Sequence, residues 1–243
     1  MILTTNNLSK IYKSREGKVD ALAGFDLSIQ PGEIFGLLGP NGAGKTTAVK
    51  MIMGFLHPTS GTIEFKGTTM TATQPRVDIG YLPESFRPNP NVSVGEYIGL
   101  QCRLTGMVQP DIGTEVSRLL SLVGMDKVPG RKISNLSKGM GQRVGLAQAF
   151  AGSPAMLILD EPTSGLDPLG RREVIDLLLA MKDQGKTIFF CSHILSEVER
   201  LCDRIGILVG GELRFVGTAE EFLDKWQQAT DLEEAFIQEA QCA

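Results

Sequence analysis

Gly39-Pro40-Asn41-Gly42-Ala43-Gly44-Lys45-Thr46-Thr47 lies between an apolar run, Ile34-Phe35-Gly36-Leu37-Leu38, and the segment Ala48-Val49-Lys50-Met51-Ile52-Met53. The run reads as a buried strand and the segment as a helix, which makes the glycine-rich stretch a strand-to-helix turn. Gly39, Gly42 and Gly44 allow backbone turns closed to other residues, so several N–H groups can converge on one anion. The helix that opens near Lys45 adds its positive end. Lys45 can reach the β- and γ-phosphates of a nucleotide, and the Thr46 hydroxyl suits a Mg²⁺ ligand, completing the pattern G-x-x-x-x-G-K-T. An incidental lysine in a glycine-rich turn would lack this strand and helix on either side. The chain therefore reads as a nucleotide-binding α/β protein.

At 243 residues it fits one large domain with room for an inserted subdomain. The net charge is −4 and no block of lysine or arginine stands out, so no general nucleic-acid surface is indicated. The longest apolar stretches, such as Ala155–Leu159 and Leu177–Met181, fall far short of the roughly 18 residues that span a bilayer. Met1 to Asn7 lacks a basic region followed by an apolar core, so no secretory signal is expected and a cytoplasmic location follows. Cys102, Cys191, Cys202 and Cys242 are scattered without a C-x-x-C pair, which argues for reduced thiols, mostly core fillers, over a zinc site or disulfides.

Ahead of the loop, Ile2–Thr5, Ala21–Leu22 and Phe25–Ile29 predict short strands, with Ser14-Arg15-Glu16-Gly17-Lys18 as a polar turn between them. Together they suggest a small antiparallel layer beside the nucleotide site. Tyr12 within it is either an ordinary sheet aromatic or, if exposed, a platform for adenine, since base stacking is worth about 1–3 kcal/mol. His57, alone beside Pro58, reads as structural. Thr62–Phe65 predicts a strand, as does Val77–Leu82, which ends at Pro83-Glu84. Pro88 and Pro90 then mark a boundary. Ser93–Leu104 carries Val94, Tyr97, Ile98 and Leu104 at helical spacing, and Ile112–Val123 carries Val116, Leu119, Leu120 and Val123. Residues 87–136 thus read as a helical insert whose apolar stripes form internal core, part of one being able to receive a partner's helix.

Leu136-Ser137-Lys138-Gly139-Met140-Gly141-Gln142-Arg143 opens a further helix. Ser137 is a good N-cap and Gly139 leaves the first turn open, so this start is either a simple capped helix or a second phosphate site. Met156–Leu159 is a continuous apolar strand, typical of a parallel sheet, that ends in Asp160 and Glu161. Successive side chains on a strand point opposite ways, so one carboxylate can face Mg²⁺ and the other a water near the γ-phosphate. Thr163–Pro168 is a turn containing Asp167, and Leu169–Lys182 predicts an amphipathic helix. Thr187–Cys191 predicts a buried strand leading to Ser192-His193, which places His193 at the carboxyl end where open α/β sheets bind ligands. Ser196–Leu201 predicts a helix, Ile205–Val209 a strand and Gly210-Gly211 a hairpin turn. The tail over 219–243 reads as helical and acidic.

Over nearly its whole length the chain resembles the ATP-binding subunit of ABC transporters. Gly39 to Thr46 is similar to the Walker A loop, and Leu157 to Glu161 to the Walker B strand with its catalytic glutamate. Leu136 to Met140 resembles the family signature, Gly165-Leu166-Asp167 the D-loop, and His193 the switch histidine; Tyr12 falls where the family's adenine-stacking aromatic sits. The resemblance implies an α/β P-loop NTPase core with a mostly parallel sheet, an N-terminal antiparallel β layer and an inserted α-helical subdomain, in one ABC ATPase domain over 1–243. It also implies a head-to-tail pair of ATPase subunits, identical or different, with ATP and Mg²⁺ as cofactors. Ser137 and Gly139 would then meet the γ-phosphate across the interface. Asp160 would hold Mg²⁺, Glu161 would polarise the attacking water and His193 would sense the γ-phosphate. The expected partner is a separate transmembrane permease, with the ATPase peripheral on the inner face of the cell membrane and no nucleic acid bound.

Two departures stand out. Glu84 occupies a position where the family usually has glutamine, which adds a charge near Mg²⁺ and resembles exporter ATPases. Lys138 and Met140 replace the commoner glycine and glutamine of the signature, while Ser137 and Gly139 are kept. The tail Asp231-Leu232-Glu233-Glu234-Ala235-Phe236 is similar to that of single-domain ATPases serving bacterial exporters. The rival reading is a soluble ABC-type mechanical ATPase acting on ribosomes or nucleic acid. Such proteins generally carry paired cassettes, long coiled coils or basic extensions, and none is visible. A regulatory partner that binds ATP without hydrolysing it is opposed by Glu161 and His193, which fill both catalytic positions.

Overall fold

The computed structural model describes residues 1–14, 17–71, 73–227 and 229–242. Two long strands, β1 (Leu3–Ser14) and β2 (Gly17–Ile29), precede β3 (Ile34–Leu38) and helix α1 (Lys45–Ile52). Strands β4 (Ser60–Phe65), β5 (Thr68–Thr69) and β6 (Ile79–Leu82) lead to helices α2 (Val94–Leu104), α3 (Asp111–Leu122) and α4 (Lys138–Phe150). The chain then runs through β7 (Met156–Asp160), α5 (Pro168–Asp183), β8 (Thr187–Ser192), α6 (Leu195–Leu201), β9 (Arg204–Val209) and β10 (Glu212–Gly217), and ends in α7 (Ala219–Lys225) and α8 (Leu232–Gln241). Two compact units result, one of Met1–Arg76 with Thr187–Ala243 and one of Val77–Lys186.

In the first unit an antiparallel sheet has the order β2-β1-β4-β5. The two leading strands are longer than the short ones expected, and Gly17 and Lys18 belong to β2 instead of a turn. Hairpin pairing accounts for this: Ser14↔Gly17 through Leu3↔Ile29 satisfy backbone groups whether or not the side chains are apolar. Arg15 and Glu16, central to the expected polar turn, lie outside the described residues. A second set of strands is ordered β10-β9-β3-β8, with β3 parallel to both β8 and β9. Every residue of β3 and β8 is buried, which is why both read as unbroken apolar runs. Phe35 and Phe189 stack at 6.0 Å between centroids. Gly36 leaves room for Cys202, just beyond α6: a Cβ there would lie 2.6 Å from Cys202 Sγ and force that side chain to shift.

In the second unit β6 and β7 pair in parallel from Ile79↔Met156 to Leu82↔Leu159. Helix α4 lies so close to β6 that a Cβ on Gly80 would fall 1.8 Å from the Ala149 carbonyl oxygen. Helix α2 opens with a capping box: the Ser93 hydroxyl accepts from the Glu96 amide, and the Glu96 carboxylate accepts from the Ser93 amide at 2.8 Å. The hydrogen bonds from Ser93, backbone first, hold the Glu96 carboxyl below the usual carboxylate range. The Tyr97 hydroxyl donates to the Gln148 side-chain oxygen, and burial pushes its phenol up to about 12. Among the described residues no helix is long and apolar enough to cross a membrane. The four cysteines are free thiols; Cys102 and Cys191 are buried, whereas Cys242 is exposed.

Candidate nucleotide-binding site

The loop between β3 and α1 is shaped by contacts that only glycine allows. A Cβ on Gly39 would lie 2.3 Å from the Leu208 carbonyl oxygen, and one on Gly44 2.4 Å from that of Ala21. Gly44, with φ 110, is the N-cap of α1 and, having no side chain, brings no capping oxygen of its own to the first turn. The Gly211 amide of the β9–β10 hairpin donates to the Ala43 carbonyl at 3.0 Å, and the Ala43 amide to Pro40 at 3.1 Å, which ties the loop down from outside and within. Lys45 is 7% exposed, and its ammonium donates to the carbonyls of Gly39 at 2.6 Å and Pro40 at 3.2 Å. Asn41 is exposed, and Thr46 and Thr47 are half-buried on the first turn of α1. The amides of a helix start, an ammonium and a hydroxyl form a donor set that fits a polyphosphate.

His193 follows Ser192, the register partner of Leu38, so His193 and the loop leave adjacent parallel strands at the same end. Its side chain is exposed. Tyr12 lies on β1 and is 43% exposed, with the Lys10 ammonium 5.5 Å from the ring centroid. An exposed ring is what a stacking platform needs.

In the second unit, Leu82↔Leu159 pairing brings Glu84 and the Asp160-Glu161 pair to one end of β6 and β7. Asp160 is 1% exposed, and its hard oxygen suits Mg²⁺. Glu161 is 7% exposed and takes φ 53, a left-handed conformation disfavoured for any residue with a Cβ. Glu84 and Ser137 line the same cavity of about 500 Å³, together with Arg87, Lys138, Gln142 and Ser164. The Ser137 hydroxyl accepts from the Met140 amide at 3.3 Å and so caps α4.

The turn after Glu161 is closed by two amides, Ser164 donating to the Glu161 carbonyl and Leu166 to that of Thr163, both at 3.1 Å. Leu166 packs over Gly139, where a Cβ would approach its Cδ2 to 3.3 Å. The Lys138 side chain crosses above Gly165, where a Cβ would lie 1.9 Å from Nζ. Two features escaped the sequence reading. Asp167 is the N-cap of α5, accepting from the Gly170 amide at 2.8 Å, and the Asp-Pro step opening a helix was its available signal. Gln142 donates its side-chain amide to the Pro162 carbonyl at 2.7 Å, hinted at only by a polar residue on an otherwise apolar helical face.

A family model described as ABC transporter matches residues 22–164. The chain belongs to the ABC transporter family. Among its relatives, an ABC transporter ATP-binding protein of Synechocystis sp. is 40% identical over 91% of this chain, which spans 64% of that protein's length. The Nod factor export ATP-binding protein I of Cupriavidus metallidurans is 36% identical, over 92% of this chain and 73% of its own. A solved dimeric ATP-binding cassette in a post-hydrolysis state, bound to ADP and Pi, matches with a TM-score of 0.82 at 26% identity, covering 89% of this chain and 98% of that one. Within the ABC transporter family the chain is similar to the ATP-binding proteins and shares the α/β fold of the solved ATP-binding cassette.

Proposed function

We propose that this ATPase subunit couples closure on ATP, and then hydrolysis, to export of a substrate through a separate membrane permease. The observation that carries the reading is the loop from Gly39 to Thr46, a glycine-rich turn with its lysine at the start of a helix, held in shape by β2, β9 and the β9–β10 hairpin. Within residues 39–47 the backbone N–H groups, all but that of Pro40, which has none, bind the phosphates together with the Lys45 ammonium, and the exposed Tyr12 ring stacks on adenine. Thr46, Asp160 and Glu84 offer the oxygen ligands for Mg²⁺, which when bound neutralises phosphate charge. Glu161 takes the proton of the attacking water, and His193 contacts the γ-phosphate. Ser137 and Gly139 receive the ATP of a second ATPase subunit, identical or related, with Asp167 at the same interface.

Residues 87–136 serve as the inserted helical subdomain and 219–243 as a C-terminal helical tail. The assembly sits peripherally on the inner face of the cell membrane and binds no nucleic acid. The export relative supports the direction, as does Glu84 in place of glutamine. The test is Glu161→Gln, which removes the base and keeps the binding loop. Turnover falls by about a hundredfold or more while ATP binding persists and an ATP-dependent dimer appears on gel filtration. Turnover close to that of the unmodified protein would remove Glu161 from the mechanism. Gentle solubilisation of membranes with a tagged chain should recover a multi-spanning protein in stoichiometric amount; recovery with ribosomes or nucleic acid would overturn the transport role.

A further inference from the structure

Gln142 stands one helical turn beyond Lys138 on α4 and is 7% exposed. Its amide reaches across to the Pro162 carbonyl in a buried hydrogen bond between residues 20 apart in sequence. Pro162 is bonded directly to Glu161, whose backbone holds φ 53. A non-glycine residue keeps that conformation only where its surroundings impose it. Proline offers no N–H to anchor the turn at this point, so its carbonyl is the one backbone group there through which a side chain can hold it. Helix α4 supplies that side chain and closes on the same turn at two further places, through Gly139 under Leu166 and Lys138 over Gly165.

We infer that Gln142 is a positioning residue for ATP hydrolysis: by holding the Pro162 carbonyl it fixes the left-handed Glu161 and with it the aim of the carboxylate. The inference rests on the role proposed above for Glu161. It makes the start of α4, which carries Ser137 and Gly139, and the carboxylate that activates water parts of one braced element. A change at the helix start is then carried into the geometry of Glu161 without any contact between Gln142 and nucleotide.

Gln142→Met keeps the length of the side chain and removes the donor. Turnover at saturating Mg-ATP should fall about tenfold or more, as expected for a misaimed base, while the Kd for ATP measured in EDTA stays within about twofold. Gln142→Glu supplies the second readout. Its carboxyl donates an O–H to Pro162 only when protonated, so its activity relative to the unmodified protein at the same pH should rise as pH is lowered. Activity is taken per folded molecule at each pH, read from a thermal melt, so a role in folding alone produces no such recovery. Normal turnover in folded Gln142→Met, or a loss seen wholly as weaker ATP binding, overturns the inference. If Gln142→Met does not fold, a pH-independent activity ratio for Gln142→Glu overturns it. Glu161→Gln measured alongside separates the two readings. If that variant retains turnover, the role of Glu161 fails; if it is inactive while Gln142→Met is not, only the positioning role fails.

Discussion

The Lys45 ammonium donates to the carbonyl oxygen of Gly39 at 2.6 Å, so the cation of the loop is held over the residue where β3 turns toward α1. Lys45→Ala removes the cation and leaves the loop backbone to its other ties, the Gly211 and Ala43 amides. ATP turnover should drop by about a hundredfold or more, and stability should change by only about 1 kcal/mol. Phosphate release and a thermal melt measure the two; unchanged turnover would sink the assignment of the loop.

Gly80 is fixed by a neighbour that cannot yield. The atom 1.8 Å from its would-be Cβ is backbone, the Ala149 carbonyl oxygen of α4. Gly80→Ala should therefore force α4 off β6 and cost about 3 kcal/mol. Urea denaturation reads this as a lower midpoint, and a midpoint equal to that of the unmodified protein would contradict the packing described.

The cap of α2 makes a prediction in pH. Ser93→Ala removes the hydroxyl half of the box and keeps the backbone amide that donates to Glu96; losing the hydroxyl as N-cap should cost about 1 kcal/mol at neutral pH. Because the Ser93 hydroxyl, after its backbone amide, also lowers the Glu96 carboxyl in the folded state, one part of the hydroxyl's contribution is present above the unfolded carboxylate value and is lost as pH falls through the lowered folded one. The gap in stability between Ser93→Ala and the unmodified protein should thus narrow in acid. A gap that stays constant from neutral pH down through the carboxylate range would assign the effect to the hydroxyl alone.

Glu239, 7% exposed on α8, accepts from the Trp226 indole N–H at 3.0 Å and pairs with Lys225 at the end of α7. Trp226 is the single tryptophan of the chain, so its fluorescence reports on this one junction. Glu239→Leu should shift the emission and cost about 1.5–3 kcal/mol, the range for hydrogen bonds to a charged group. ATP turnover should hold. An unchanged spectrum would show that the indole does not depend on Glu239.

The parts legible in the sequence are those set by local pattern. β3 and β8 announced themselves as apolar runs because parallel strands are buried on both faces. The glycine-rich turn was legible because its backbone excludes other residues. What the sequence hid was pairing at a distance. β1 and β2 run on through polar residues because each supplies the other's hydrogen bonds, and no side-chain pattern records that. The tail read as helical without an internal boundary, and it forms two helices, α7 and α8, because Thr218 and Asp231 each cap a start. Gln142 and Pro162 illustrate the same point at the site, since nothing local marks which carbonyl a buried amide will meet.

Lys138 lying across Gly165 ties the histories of two positions together. While lysine stands at 138, any side chain at 165 has to displace the lysine's tip and also adopt a backbone angle of φ 73 that suits glycine. Shortening residue 138 first removes the first obstacle and leaves only the second. Loss of glycine at 165 is therefore easier where residue 138 has already been shortened, although the backbone angle remains the larger obstacle.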